Sequence, residues 1–318
     1  MQACIYEQYG PPDVVTIREV AKPTPRAGEV LVRVRASSVT TADWRFRTST
    51  FPGIFWLPGR LMLGLLRPRN GILGMDFSGV VESVGEGVTR FRAGDAIFGA
   101  TSFPRLGAHA EYLVVPANGA VIPKPAFLTD AQAAAIPFGG NSALAFLRDF
   151  GALTRGQRVL VIGASGGVGV WAVQIARHLG AEVTAVCSAR NHELVRSLGA
   201  HHVADYADAA VPPGEYDLIF DPIGATTFDG CKSSLSAKGT YLPLNNGLRG
   251  IVRSLFTRRI KIAISANTQA GLEEIVALIE KGALKPVVDR VYPMAEIAAA
   301  HRHVEGRHKR GSVIVAMV

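Results

Sequence analysis

The sequence predicts an α/β protein with a β-rich first part followed by a doubly wound parallel sheet. In residues 1–120, short runs of β-branched residues are separated by turn residues, whereas strand and helix patterns alternate after residue 150. The string VLVIGASGGVG at residues 159–169 joins a strand pattern to a helix pattern through a glycine-rich turn. Together these two observations define the fold class.

The first part shows strand and turn signals at short spacing. Residues 30–36 include apolar and cationic side chains that alternate with a period of two, which is typical of a strand with one buried face. Further β segments are expected at residues 79–85 and 96–99, with turn residues between them. This spacing favours a compact β-barrel-like domain.

The second part alternates between the two kinds of element. Residues 128–150 are predicted to be mostly helical, with Thr129 as N-cap and a break near Pro137. The alternation that follows indicates a parallel sheet covered by helices on both faces. We expect strands at 158–162, 182–187, 202–203, 218–221, 239–244 and 260–266, helices at 169–179, 191–198 and 271–281, and a closing strand at 312–318.

The glycine-rich turn is typical of a dinucleotide-binding site. Glycines let the backbone approach a pyrophosphate, and the N-terminus of the following helix supplies free N–H groups and the positive end of its dipole. A purely structural turn is the alternative, but it does not account for three glycines within four residues. The residues expected to bind the cofactor here are Ala164, Ser165, Gly166, Gly167, Val168 and Gly169.

Composition and cysteine use restrict the class of protein. The chain has 318 residues, enough for two domains, and its 48% hydrophobic and 19% charged residues are globular values. The three cysteines are scattered and form no disulfide framework or Cys-x-x-Cys metal motif. The first residues carry Glu7 and lack the apolar stretch of a signal peptide, so we expect a cytoplasmic protein.

The net charge of +8 does not by itself identify a partner. Basic residues are dispersed and no nucleic-acid motif accompanies them, so we expect no nucleic-acid partner and reserve a few cations for a phosphorylated cofactor. No apolar run reaches the ~18 residues that a membrane span needs. The apolar segment at residues 51–66, interrupted by proline and glycine, remains open to three interpretations: a flap on the core, a lid over an apolar pocket, or a membrane-touching patch.

Seven short motifs, spread over nearly the whole chain, share one resemblance. They are GPPDV (10–14), GEVLV (28–32), GMDFSGVV (74–81), AHAEY (108–112), GASGGVG (163–169), LGA (198–200) and DY (205–206). With them the chain resembles the medium-chain dehydrogenase/reductase superfamily, and within it the zinc-free, zeta-crystallin-like quinone oxidoreductases. The resemblance implies a GroES-like catalytic domain formed by residues 1–124 and 267–318, a Rossmann NADP-binding domain at 125–266, and an active site in the cleft between them.

The zinc ligands of the superfamily's alcohol dehydrogenases are missing. The resemblance puts Thr40 at the position of the first cysteine ligand, and the Gly-His-Glu motif reads Gly74-Met75-Asp76. A catalytic zinc needs three protein donors, and threonine and methionine are poor ones. The histidine pairs His201-His202 and His301-x-His303 do not restore a site, and we expect all four residues, including His301, at the surface. No metal is therefore expected.

Loss of the Lewis acid changes the chemistry that we expect. An alkoxide is hard to stabilise without a metal, whereas hydride addition to an enone or a quinone gives a delocalised anion. The sequence thus favours an NADPH-dependent reductase of quinones or α,β-unsaturated carbonyls, a small-molecule substrate. A zinc-free alcohol dehydrogenase or a pathway-specific enoyl reductase is the enzymatic alternative. A non-catalytic NADPH-binding sensor or an RNA-binding protein is the alternative of another class.

Residues at the end of the second strand of the predicted parallel sheet indicate which nicotinamide cofactor the protein uses. NAD enzymes carry an acidic residue there for the ribose hydroxyls, but this strand ends at Cys187 without one. Ser188 and Arg190 follow, and a hydroxyl and a guanidinium suit the 2′-phosphate of NADP(H). The resemblance implies the same two roles and adds Tyr206.

The resemblance also implies positions for the rest of the site. Thr40, Trp44 and Arg45 are expected in the substrate cleft, Ser142 at the nicotinamide, and Asn245 beside the cofactor. Ser312 stands where the family has a lysine, so we expect that basic contact to be lost. We also expect a homodimer that pairs through the predicted edge strand at 260–265.

Overall fold

Two β-sheets organise the chain. The computed structural model describes residues 1–51, 56–101, 105–244 and 248–317. Its strands are β1 (Gln2–Ile5), β2 (Thr16–Glu19), β3 (Glu29–Val39), β4 (Asp76–Val84), β5 (Ala96–Ala100), β6 (Tyr112–Pro116), β7 (Val121–Pro123), β8 (Arg158–Ile162), β9 (Glu182–Cys187), β10 (His202–Asp205), β11 (Tyr216–Asp221), β12 (Leu235–Pro243), β13 (Val288–Pro293) and β14 (Ser312–Ala316). Its helices are α1 (Thr41–Thr48), α2 (Trp56–Leu63), α3 (Asp130–Ala134), α4 (Pro137–Leu144), α5 (Gly169–His178), α6 (His192–Ser197), α7 (Phe228–Cys231), α8 (Leu248–Ser254), α9 (Gln269–Glu280) and α10 (Ile297–Glu305). The predicted α/β class is confirmed.

The first sheet is built around β3. Its order is β13-β14-β3-β4-β5-β7, and β6 also pairs with β3. Val30, Val32 and Val34 of β3 are fully buried, as the two-residue period predicts. The antiparallel pairing of β14 with β3 brings the end of the chain back to its first third.

The second sheet is parallel, in the order β10-β9-β8-β11-β12. Its central strand β8 is buried from Val159 onward, which is typical of a sheet with helices on both faces. The chain runs from β8 outward through β9 to β10, and then returns to the other side of β8 as β11. The carboxyl ends of β8 and β11 therefore meet where the winding direction reverses, which is where open α/β sheets bind ligands.

The strand predicted at residues 260–266 does not form. Ile260 makes an isolated parallel bridge to Tyr241, and the following residues run on without regular structure. This segment borders the space between the two sheets instead, where the hydroxyl of Ser265 donates to Ser142 Oγ at 3.2 Å. The edge of β12 is therefore not extended in the way that the dimer prediction assumed.

The last part of the chain packs first against the parallel sheet and only then rejoins the first sheet. The domain division that we propose at residue 267 precedes α9, yet Leu272 and Ile275 of this helix lie in the hydrophobic core of the parallel sheet. The strands that rejoin the first sheet begin at Val288. Helix α9 thus belongs by packing to the second sheet.

The expectation that His301 lies at the surface is wrong. The residue is fully buried on α10, and its ring centroid lies 5.8 Å from that of His109. Burial, with smaller effects of His109 and Arg47, holds the pKa of His301 well below its ordinary value. The buried positions of α10 are Ile297, Ala300, His301 and Val304, a helical spacing that the sequence already contains.

No helix among the described residues is both long enough and apolar enough to cross a bilayer.

Candidate active site and cofactor site

The glycine-rich turn lies between the end of β8 and the start of α5. Gly163 has a φ of +68°, and a side chain there would press on Ile223. A Cβ on Gly169 would collide with the carbonyl oxygen of Gly163, so α5 starts directly against the strand end. The first N–H groups of a helix have no intrahelical partner, so the turn offers donors to an anion. The predicted residues 164–168 lie on this turn, and Gly169 is the first residue of α5.

A buried amide links the turn to the end of β9. Asn191 Nδ2 donates to Ser165 Oγ at 3.0 Å and to Ser188 Oγ at 3.1 Å. Both hydroxyls act as acceptors in these bonds, which leaves their own protons available to a ligand. Two predicted residues are thereby brought together. Asn191 itself was not singled out from the sequence, although it follows Ser188 by three residues, the spacing of a local side-chain bond.

Arg190 and Tyr206 lie at the surface beside this strand end. Arg190 is exposed, and its Nη2 donates to the backbone oxygen of His308 at 3.4 Å. The Tyr206 side chain is half exposed. Between them, Asp205 accepts bonds from the backbone of Ala189 at 2.8 Å and of Ala207 at 2.9 Å, and these bonds lower the pKa of its carboxyl. Asp205 pairs with Cys187 in the parallel sheet, so a carboxylate of β10 lies beside the end of β9 and is bonded to the backbone there, whereas β9 itself ends without an acid.

A lysine from the end of the chain reaches the glycine-rich turn. Gly311 N donates to Ser165 O at 2.8 Å, which fixes the segment before β14 against the turn. An added Cβ on Gly167 would lie 2.9 Å from Lys309 Nζ. The ammonium therefore sits beside the backbone that the pattern assigns to the pyrophosphate. Lys309 stands three residues upstream of Ser312, and the backbone between them turns at Gly311, φ +85°.

The charge of Lys309 is held in a partly buried setting. Burial lowers the pKa of Lys309 to about 8, and Asp43, Asp289 and Asp76 oppose that shift. The ammonium is thus still mainly protonated at neutral pH. Among the described residues it has no hydrogen bond or ion pair within contact distance, so the charge is available to an anion.

Thr40 lies in a small cavity beside Lys309. The cavity is also lined by Ser38, Asp76, Phe138 and Gly167. The Thr40 hydroxyl caps α1: it donates to Asp43 Oδ2 at 2.6 Å and accepts from Asp43 N at 3.3 Å. Thr40 is therefore occupied in holding the start of α1.

Asp76 is the acid of this cavity. Its Oδ2 accepts from Ser38 Oγ at 2.9 Å and from Phe138 N at 3.1 Å, while its Oδ1 is buried without a partner among the described residues. Burial raises the pKa of Asp76 to about 7. The side chain thus joins β4 to the start of α4.

A larger cleft of about 670 Å³ lies between the two sheets. Its walls come from both of them and from the segment that follows Ile260, and they include the predicted Ser142. Thr101 also lines the cleft, and its buried hydroxyl has no hydrogen-bond partner among the described residues. Sequence reasoning missed Thr101, because no local pattern marks a residue that becomes a wall only when β5 pairs in the first sheet.

The remaining predicted residues have different surroundings. Trp44 and Arg45 line neither of these cavities. The guanidinium of Arg307 lies 5.0 Å from the centre of the Trp44 ring, and burial together with Arg307 lowers the pKa of Arg45. Asn245 lies outside the described residues.

The donor chemistry at the zinc position does not suit zinc. The Thr40 hydroxyl is bonded to Asp43, the thioether of Met75 is a poor ligand, and Asp76 already accepts two bonds. Among the residues that the structure describes, no group of three or more His, Cys, Asp or Glu is arranged to hold a metal ion.

The residues do fit a nicotinamide dinucleotide. The glycines keep side chains away from the turn, Lys309 places an unpartnered cation beside Gly167, and the cleft opens next to Ser142. The polar groups would hold the phosphates, and the cleft would accommodate the rest of the ligand.

Comparison with known proteins agrees with this geometry. Residues 26–126 match the family described as alcohol dehydrogenase GroES-like domain, and residues 198–315 match the family described as zinc-binding dehydrogenase. The mouse protein named NAD(P)H oxidoreductase RTN4IP1, mitochondrial, is 30% identical over 363 positions, which cover 100% of this chain and 89% of the mouse protein. The Arabidopsis thaliana protein named NADPH-dependent alkenal/one oxidoreductase, chloroplastic, is 29% identical and covers 99% of this chain and 79% of its own length.

A solved structure extends the match to three dimensions. The quinone oxidoreductase from Coxiella burnetii superposes with a TM-score of 0.89 at 27% identity, over 99% of both chains. The two sheets and the glycine-rich turn are those of a medium-chain dehydrogenase/reductase, and the chain belongs to that superfamily. Within it, this protein is an oxidoreductase that uses a nicotinamide cofactor.

Proposed function

We propose that this protein is an NADPH-dependent, zinc-independent reductase of quinones or α,β-unsaturated carbonyls. The observation that carries the proposal is the bonding of Thr40, whose hydroxyl caps α1 at the position of a zinc ligand. Met75 stands at the second ligand position and lines the cleft, so neither position offers a good donor for a metal that would stabilise an alkoxide. Reduction of a conjugated acceptor does not need such a metal.

The cleft supplies orientation and a hydrogen bond. NADPH, when bound, supplies the hydride for the electrophilic carbon of the acceptor. The hydroxyl of Thr101 is free to donate to the carbonyl oxygen on which negative charge develops. The apolar walls formed by Met75, Phe138 and Leu244 favour a flat, weakly polar substrate and exclude water from the reacting carbon. Water at the cleft mouth provides the proton that completes the reduction.

Two groups of residues each bind a different phosphate of the cofactor. Arg190 and Ser188 follow β9 and bind the 2′-phosphate that distinguishes NADPH from NADH, with Tyr206 beside them. Lys309 lies beside Gly167 and binds the pyrophosphate that both cofactors contain. The names of the relatives support NADPH as the cofactor and a conjugated acceptor as the substrate, since one is an NADPH-dependent alkenal/one oxidoreductase and another a quinone oxidoreductase.

We further propose that the protein is a homodimer and that it is cytoplasmic. The apolar side chains of Leu255, Phe256 and Ile264 are largely exposed near the edge of the parallel sheet, where a second copy would cover them. Light scattering at the mass of one chain at micromolar concentration would contradict the dimer. The three cysteines are buried and free, as reducing conditions favour.

The experiment that tests the function is a substrate panel. NADPH oxidation is followed with the purified protein against quinones, enones and enals, and NADP⁺ reduction against primary and secondary alcohols. We expect turnover with a conjugated acceptor and none with alcohols. Cofactor affinity without turnover on any acceptor would favour the sensor, and alcohol oxidation would favour a dehydrogenase.

A further inference from the structure

Residues 56–69 expose apolar side chains that a soluble domain normally buries. We call this stretch the apolar segment; it comprises α2 and the turn that follows. In a helix packed on a core, the apolar side chains face inward and the polar ones outward. Here the side chains that are about half exposed or more are Trp56, Leu57, Leu61, Met62, Leu65 and Leu66, the last of which is 88% exposed.

The apolar segment is held in place by contacts on its inner side. Leu63 is buried, and Tyr9 donates its hydroxyl proton to Gly64 O at 2.7 Å. The Arg60 guanidinium lies 3.8 Å from the centre of the Tyr9 ring, and Arg60 Nε donates to Leu65 O at 2.8 Å. These contacts fix the backbone, so the outward direction of the large side chains is a property of the fold.

Positive charge accompanies these apolar side chains. The sequence contains no Asp or Glu between Asp43 and Asp76. Arg67 and Arg69 follow Leu66 directly and are exposed. Leucine and tryptophan side chains beside arginines, with no acid among them, form the composition of a surface that lies in the headgroup layer of an anionic membrane.

Two other occupants fit less well. A lid over the substrate would contribute to the walls of the cleft, but none of residues 56–69 lines it. A second copy of the chain related by a twofold axis would bring two of these basic segments into one interface, and neither segment contains a carboxylate to pair with the arginines. An anionic lipid surface satisfies both the apolar side chains and the charges.

We propose that the apolar segment is a docking surface for an anionic lipid membrane, into which Trp56, Leu61 and Leu66 insert while Arg67 and Arg69 bind the headgroups. The protein then lies on the membrane surface without crossing it. The proposal rests on the surface alone and does not require the proposed substrate to be correct.

Trp56 provides a direct probe of insertion. The protein has three tryptophans; Trp171 is fully buried and Trp44 is partly buried beneath Arg307, so Trp56 is the one most exposed. Adding phosphatidylcholine vesicles that contain phosphatidylglycerol is expected to shift the tryptophan emission to the blue. Trp56→Phe is expected to abolish this shift while sedimentation shows that the protein is still bound.

The test is sedimentation of the full-length protein with vesicles of phosphatidylcholine alone or with phosphatidylglycerol. We expect binding to the anionic vesicles, weaker binding as salt rises, and loss of binding in L61S/L66S. Each arginine contributes about a fivefold change in partitioning near an anionic surface, so R67A/R69A is expected to weaken binding about 25-fold. Thermal unfolding and NADPH binding in the absence of vesicles should be unchanged, because all four residues are exposed.

Matched variants distinguish binding through this surface from non-specific adsorption of the protein to vesicles. F127S/V291S removes two apolar side chains that are about half exposed elsewhere, and K232A/K238A removes the same number of charges; both are expected to bind vesicles like the wild type. Absence of binding to anionic vesicles overturns the proposal, and so do equal losses in the control variants. A dimer that L61S/L66S converts to monomers, without vesicle binding, would assign the surface to a second copy instead.

Discussion

The cofactor end and the substrate end of the candidate site are constructed differently. At the cofactor end, backbone atoms of one continuous turn between β8 and α5 form the surface, and Gly163 and Gly169 are required by a positive φ and by a close approach. At the substrate end, side chains such as Met75, Thr101, Ser142 and Leu244 converge from separate elements. A backbone site leaves a compact pattern in the sequence, whereas a side-chain site is assembled only by folding.

The largest effect expected at the cofactor end concerns Lys309. Lys309→Met removes an unpartnered cation beside Gly167 and is expected to weaken NADPH and NADH alike by about 100-fold, because both contain the pyrophosphate. Fluorescence titration with each cofactor at fixed ionic strength measures this. Lys281→Met, at the exposed end of α9, is the control. If the Lys309 variant binds both cofactors normally, the ammonium does not contact the phosphates.

Substitution of Arg190 tests whether the cofactor end distinguishes NADPH from NADH. Arg190→Ala is expected to weaken NADPH by about one to two orders of magnitude while NADH changes little, since only NADPH carries the 2′-phosphate. Ser188→Ala should act in the same direction but less, because its hydroxyl is uncharged. The same titrations give the answer, with Arg258→Ala as the control. Equal losses for the two cofactors would mean that Arg190 supports the pyrophosphate or the fold.

A smaller effect is expected at the substrate end. Thr101→Val keeps the shape of the side chain but removes the unpartnered hydroxyl of the cleft. We expect kcat/KM for the acceptor to fall about three- to tenfold, the contribution of one neutral hydrogen bond, with NADPH affinity unchanged. Thr154→Val, in an exposed turn, serves as the control. An unchanged kcat/KM would remove Thr101 from the reaction.

The pH dependence of stability tests the cavity between the two ends. The pKa of Asp76 is raised to about 7 in the folded protein, whereas an unfolded aspartate ionises near pH 4. Between about pH 4 and 7 the folded state therefore binds more protons than the unfolded state. Because of this, the contribution of the Asp76 carboxyl to the free energy of unfolding falls as the pH rises through that interval. Asp76→Asn keeps the acceptor for Ser38 and Phe138. The free energy of unfolding of this variant minus that of the wild type should therefore be larger at about pH 7 than at about pH 5. Urea unfolding at the two pH values measures the difference. A constant difference would show that Asp76 stays ionised.

The sequence revealed the two ends to different degrees. Residues 164–169 and Ser188 could be placed because strand, turn and helix are adjacent in the chain, and Arg190 because it follows directly. Lys309 could not be placed, since it reaches Gly167 only after β14 pairs with β3, more than a hundred residues away. The strand predicted at 260–266 failed for a related reason: its alternating pattern fits a strand, but the segment is drawn into the wall of the cleft by tertiary contacts. His301 differs, because its burial was visible in the helical spacing of α10.

The most direct test of the central claim is turnover after metal removal. Steady NADPH oxidation with the best acceptor of the panel is measured before and after dialysis against a strong chelator, with a zinc-dependent alcohol dehydrogenase treated in parallel to show that the chelator is effective. Because Thr40, Met75 and Asp76 do not suit zinc, the rate is predicted to be unchanged, and elemental analysis should find no stoichiometric zinc. Loss of turnover in the chelator, restored when zinc is added back, would contradict the account.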